Sequence, residues 1–173
     1  ITAEIKKVLD TGMLVSGPYV EKFEKEFSDY IGVRESIAVN SGTSALEIVL
    51  RFFDVEDREV IVPTNSFIAS ANAVVFAGGK PVLCDIKAET LCIDVEDIAS
   101  KITPRTKGVI VVHVAGLVTP KLDQILDLCK KNNLFLIEDS ANAHGSMIDN
   151  RKAGSIGDAG CFSFFATKPM TTG

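Results

Sequence analysis

Tryptophan is absent from this sequence, and histidine and tyrosine occur only twice each. Two histidines, His113 and His144, are too few for a histidine-based metal centre. No Gly-x-Ser-x-Gly elbow accompanies them, which removes a hydrolase triad, and no P-loop pattern exists. The four cysteines, Cys84, Cys92, Cys129 and Cys161, show no Cys-x-x-Cys or zinc-like spacing. They read as small buried hydrophobes in a reducing cytoplasm. Basic charge is also short: 18 Lys and Arg stand against 23 Asp and Glu, a net charge of -5 with no basic run. Phosphate backbones need clustered Lys and Arg, so a nucleic-acid partner is excluded. Long apolar stretches are missing too, since Gly, Pro or a charge breaks each candidate before it reaches membrane-spanning length. The first residues read as an amphipathic helix, not as a basic-then-apolar leader.

What remains is an ordinary globular composition, 46% hydrophobic and 24% charged over 173 residues, enough for one domain with a substantial core. Ile5, Val8 and Leu9 lie at helical spacing and Gly12 ends that helix; a second runs from Glu21 to Tyr30, stopped by Gly32. Ser36–Val39 reads as a short strand, Thr43–Phe53 as an apolar helix, Val60–Val62 as a buried strand and Ala69–Phe76 as another helix. Pro81–Asp85 is a strand, and Asp94 caps a helix to Ser100. Gly108–Val114 is a β-branched run of the kind covered on both faces. Lys121–Asn132 is a helix with Leu122, Ile125, Leu126 and Cys129 inward; Leu134–Ile137 and Ala159–Phe165 are the last strands. Strands alternating with helices predict an α/β fold with a mostly parallel sheet.

In such sheets ligands bind beyond the carboxyl ends of the strands, so chemistry is sought just after each apolar run. Ser41-Gly42-Thr43-Ser44 lies between a strand and a helix start. Its small residues suit either a phosphate held on backbone N–H groups or plain helix capping. Asp139 ends a buried strand and suits either a structural cap or a partner for a cationic ring nitrogen. Lys168 follows Phe162-Ser163-Phe164-Phe165, which is expected to be buried. An amine sheltered there would be available for attack on a carbonyl. The glycines of Gly154–Gly160 precede a strand instead of following one, so a dinucleotide fingerprint fails on context.

Taken in order, several segments resemble the DegT/StrS family of sugar aminotransferases, within the fold-type I enzymes that use pyridoxal 5'-phosphate (PLP). They are Ser16-Gly17-Pro18-Tyr19-Val20, Ser41 to Leu46, Pro63 to Ala69, Gly79-Lys80-Pro81-Val82 with Asp85, and Ile102 to Lys107. Val112-His113 with Gly116, Glu138 to Gly145, and Phe162-Ser163-Phe164 leading to Lys168 complete the series. The resemblance implies a three-layer α/β/α large domain. It implies that Lys168 forms the Schiff base to PLP and moves the proton between cofactor and substrate carbons. Asp139 would pair with the pyridinium nitrogen and keep the electron sink charged. Gly42, Thr43 and Ser44 would hold the phosphate with the Ser163 hydroxyl, and Phe67 would stack on the ring. Asn142 stands where the family usually has Gln on the cofactor's phenolic oxygen, one methylene shorter. A Lys at position 168, where some related dehydratases carry His, favours transamination.

The resemblance further implies a small-molecule substrate pair, a nucleotide-linked keto sugar and an amino acid donor such as glutamate, and a cytoplasmic homodimer. Family members are about twice this length, so residues 1–173 are expected to be an incomplete PLP-binding large domain without the C-terminal small domain. A non-catalytic PLP-binding module, or an inactive piece of such an enzyme, is the alternative. A cysteine desulfurase or lyase of the same fold is a third.

Overall fold

The computed structural model describes residues 2–172, which fall into two compact units, one up to Ala38 and one from Val39 onward. The first unit holds two helices, α1 (Thr2–Thr11) and α2 (Pro18–Ile31). No residue of α1 is buried, and its cohesion is local: Lys6 pairs with Asp10 one turn on, at 2.9 Å. Pro18 opens α2 at a position where its missing N–H is no loss. Gly32 closes α2 in the left-handed conformation, with its N–H on the Ser28 carbonyl at 2.8 Å. The strand expected over Ser36–Val39 does not form. Glu24 takes the local donors instead: its Oε1 accepts the Ala38 N–H at 2.7 Å and its carbonyl accepts the Ser36 hydroxyl. Ile37 is left 82% exposed, with no neighbouring strand to cover it.

The second unit is built on a five-stranded sheet in the order β2-β1-β3-β4-β7, every pair parallel. Its elements are α3 (Gly42–Phe52), β1 (Glu59–Pro63), α4 (Ala69–Phe76), β2 (Lys80–Cys84), α5 (Val95–Lys101) and β3 (Thr106–Val112). After a 3-10 turn at Val114–Gly116 come α6 (Leu122–Lys131), β4 (Phe135–Asp139), a hairpin of β5 (Met147–Ile148) and β6 (Arg151–Lys152), and β7 (Ala159–Cys161). Both β1 and β4 are buried at every position, as strands covered on two faces must be. The two-residue period splits the core cleanly. Val60, Val62, Ile110 and Ile137 pack with Leu46 and Leu50 of α3 and Ala73 and Val74 of α4. Ile61, Val109, Val111 and Leu136 pack with Ile98 of α5 and Leu122, Ile125 and Cys129 of α6. The result is the α/β fold with a parallel sheet that the sequence pattern predicts, in the three-layer α/β/α arrangement that the resemblance implies. One glycine is indispensable to it: a Cβ on Gly108 would lie 2.2 Å from the Phe135 ring, which itself stacks on Phe53 at 4.5 Å.

The chain leaves β1 toward β2 and leaves β3 toward β4, so the two connections diverge between adjacent strands. Such a point opens a crevice at the carboxyl ends. The last strand is shorter than the sequence suggests. β7 stops at Cys161, where its one partner strand among the described residues stops at Asp139, the final residue pair of the ladder. Beyond it Phe162–Phe165 is not a buried strand: Phe165 is 67% exposed, and Phe162 and Phe164 pack on the His144 ring at 5.4 and 5.1 Å.

Candidate active site

Asp139 is the last residue of β4 and faces the α3–α4 side of the sheet, in phase with Ile137. Its carboxylate is buried and has two donors, the Ser70 hydroxyl on Oδ2 at 2.8 Å and the Ala141 N–H on Oδ1 at 3.2 Å. Burial pushes its pKa up; the Ser70 and Ala141 hydrogen bonds and the nearby charge of Lys168 pull against that and do not cancel it. The buried carboxylate thus has two donors and retains further acceptor capacity. Such a group favours a positively charged ligand atom.

Lys168 sits in the turn after Phe165, its N–H on the Phe165 carbonyl at 2.8 Å. It is half-buried, less sheltered than a lysine at the end of an inner strand, because the strand ends seven residues earlier. Its Nζ donates to Asn142 Oδ1 at 3.1 Å, so the structure joins two of the expected cofactor contacts directly. The shorter Asn side chain still reaches the amine.

Residues expected to hold a phosphate lie near one another. Ser41 caps α3, accepting the Ser44 N–H at 3.1 Å and donating to Ser44 Oγ at 3.0 Å. Capping uses the Ser44 N–H and leaves those of Gly42 and Thr43 at the open end of the helix. Gly42 lies against the segment after β7: a Cβ there would be 3.1 Å from Ser163 Cβ and 3.2 Å from the Phe162 carbonyl. The glycine thus lets the N-terminus of α3, the positive end of the helix dipole, approach Ser163 closely. Phe67 stands between β1 and α4, 78% exposed, one turn ahead of Ser70. His144, given no role from sequence, has ring nitrogens without a hydrogen bond of normal geometry, and burial, then the Lys168 charge, lowers its pKa.

Ser70 escaped the sequence reading: it is a buried hydroxyl on α4, where the other polar side chain is Asn72. Glu138 and His113, which stand among the strand-end residues and family segments but have no specific role from sequence, meet on the opposite face. Glu138 accepts from His113 Nε2 at 2.9 Å and from the N–H groups of Gly154, Ile156 and Gly157 at 2.9, 2.7 and 2.7 Å. His113 Nδ1 accepts the Thr119 N–H at 3.0 Å, which puts the ring proton on Nε2, facing Glu138. The signal was available: a carboxylate inside a continuous apolar strand, one residue out of phase with Asp139.

The DegT/DnrJ/EryC1/StrS aminotransferase family model matches residues 1–173. GDP-perosamine synthase of Caulobacter vibrioides is 42% identical over 171 residues, 98% of this chain and 46% of that protein. The dTDP-3-amino-3,6-dideoxy-alpha-D-galactopyranose transaminase of Aneurinibacillus thermoaerophilus is 40% identical over 165 residues, 95% of this chain and 45% of its own length. Among solved structures, an aminotransferase from Psychrobacter cryohalolentis superposes with a TM-score of 0.94 at 39% identity, over 99% of this chain and 44% of that one. Spr1654 from Streptococcus pneumoniae, in its PLP-form, gives 0.90 at 33%, over 99% and 48%. The chain spans about half the length of the curated relatives it matches.

Proposed function

The chain belongs to the DegT/DnrJ/EryC1/StrS aminotransferase family, and from that premise we propose that the protein it forms part of is a PLP-dependent aminotransferase acting on a nucleotide-linked keto sugar. The observation that carries this reading is a buried carboxylate with two donors, Asp139 at the end of β4, together with the hydrogen bond of the Lys168 amine to Asn142, three residues further along the chain. The residues fit PLP: a helix N-terminus with a glycine where a Cβ would crowd Ser163, an exposed aromatic at Phe67, an acid for a ring nitrogen and an amine for an aldehyde. When bound, PLP supplies an electron sink for the bond-breaking at an amino acid's α-carbon.

The chain's own residues then have distinct tasks. Asp139 Oδ1 or Oδ2 holds a proton on the ring nitrogen. Gly42 and Thr43 orient the phosphate through their backbone N–H groups and Ser44 through its hydroxyl, with Ser163 beside them. Phe67 covers one ring face and excludes water from it. Asn142 holds the Lys168 amine and the phenolic side of the ring. Lys168 Nζ would hold the cofactor at its aldehyde and, when displaced by the donor's amine, would serve as the free base that moves a proton between donor and cofactor carbons.

Residues 1–173 are, in this reading, the PLP-binding large domain of a longer protein, working in the cytoplasm as a homodimer. The four buried cysteines, all free, suit a reducing compartment. The exposed Ile48, Phe52 and Phe76 suit an apolar interface. The amino donor is read as glutamate. Adding glutamate to the PLP-loaded full-length protein, without sugar, should convert the cofactor's absorbance to that of the pyridoxamine form. An unchanged spectrum would leave a PLP-binding module without transaminase chemistry.

A further inference from the structure

Ser70 lies in the first turn of α4, wholly buried, and its hydroxyl reaches Asp139 Oδ2 at 2.8 Å. On its other side Ser66 Oγ stands 2.6 Å away, and Ser66 Oγ is in turn 3.1 Å from the carbonyl of Phe67. Each serine has one proton to give. With Asp139 ionised, Ser70 gives its proton to Oδ2 and Ser66 gives its proton to Ser70. With Asp139 protonated on Oδ2 the chain reverses: the acid donates to Ser70, Ser70 to Ser66, and Ser66 to the Phe67 carbonyl. Neither direction strands a buried hydroxyl, whose unmet hydrogen bond would be costly. The same three contacts tie the turn bearing Phe67 to the strand bearing Asp139.

We propose that Ser70, backed by Ser66, is the positioning residue of Asp139. It fixes the rotation of the carboxylate, steadies it in its ionised form, and registers it against Phe67, so that one hydrogen-bonded chain sets both contacts on one ring. The inference rests on the PLP reading above. Ser70 acts through Asp139 and touches no reacting atom. The charged and titratable groups around Asp139 are Lys168 after β7, Cys161 on β7 and His113 after β3. All three remain in place when Ser70 is changed.

Two measurements test this on the full-length protein. In apoprotein labelled with 13C-aspartate, the NMR titration of the Asp139 carboxyl should move to higher pH in Ser70→Ala and return to the wild-type position in Ser70→Thr. In PLP-loaded protein, the dissociation constant for PLP should rise about tenfold in Ser70→Ala, the loss of one charge-assisted hydrogen bond, and recover in Ser70→Thr. Ser66→Ala should shift both readouts in the same direction by less, which keeps the test alive if Ser70→Ala folds poorly. A wild-type titration in Ser70→Ala, or a folded Ser70→Thr that fails to restore it, overturns the relay. Wild-type protein that takes up no PLP would overturn the cofactor reading instead, and the apoprotein titration would still judge Ser70.

Discussion

Glu138 and Asp139 are neighbours in one strand, both buried, and the sheet separates them. Glu138 points to the α5–α6 side and collects four donors: an imidazole and three backbone N–H groups. Asp139 points to the α3–α4 side and has two. Burial pushes the Glu138 pKa up, yet His113 and the N–H groups of Gly157 and Gly154 outweigh it and hold the group below the usual carboxylate range. For Asp139 burial wins, and the pKa is raised. The contrast separates two jobs of a buried acid. Glu138 is satisfied by the fold and ties the loop ahead of β7 to β4. Asp139 is left wanting by the fold and completed, in our proposal, by a ligand.

The largest effect that would probe this contrast is on stability. Glu138→Ala removes the acceptor of three N–H groups and one imidazole, each costing about 1–3 kcal/mol when stranded. Denaturant unfolding should therefore show a loss of at least about 3 kcal/mol; a loss below about 1 kcal/mol would erase the distinction. Gly42→Ala comes next. Its Cβ would press Ser163 Cβ at 3.1 Å and the Phe162 carbonyl at 3.2 Å. Overpacking of this kind costs about 1–3 kcal/mol and should weaken PLP binding more than it lowers the melting temperature.

The smaller effects concern sign. A raised folded pKa at Asp139 gives stability that is full below the unfolded carboxyl's pKa and lost as pH rises through the folded value. Above the unfolded carboxyl's pKa, burying Asp139 therefore costs the apoprotein stability. Asp139→Asn should leave the apoprotein as stable or more stable there, while crippling turnover of the loaded enzyme. Glu138 has the opposite sign: its stability is present above the unfolded pKa and is lost as pH falls through the lowered one. Acid titrations of the two variants should diverge accordingly; parallel curves would refute the contrast. Least of all, both faces should be dry to thiol reagents. Burial pushes Cys161 on one face, and Cys129 on the other, up to about 12. Both should react with Ellman's reagent only as fast as the protein unfolds.

The sheet was readable because runs such as Val109–Val112 and Phe135–Ile137 are too apolar for anything but a strand covered twice. Ser36–Val39 misled because a short apolar run says nothing about whether a partner strand is near; Glu24 supplied the hydrogen bonds instead. Phe162–Phe165 misled because aromatics that pack on a histidine ring look, in sequence, like aromatics that fill a ladder. Asp139 and Lys168 were each ambiguous from their own surroundings and became specific only through the ordered resemblance; their nearness to Asn142 and Ser70 is tertiary and left no local trace. Ser70 was invisible for a further reason. A serine in the first turn of a helix reads as an ordinary helix-start residue, and only the fold shows it turned inward onto a strand sixty-nine positions away.

In our proposal the amine of Lys168 and the acid of Asp139 bracket a pyridoxal ring. Full-length protein should be loaded with PLP, reduced with borohydride, digested and mapped by mass spectrometry. The reduced cofactor's mass is expected on the peptide containing Lys168, and its loss in Lys168→Ala. Label on another lysine, or PLP that binds and is never fixed to the chain, would contradict it.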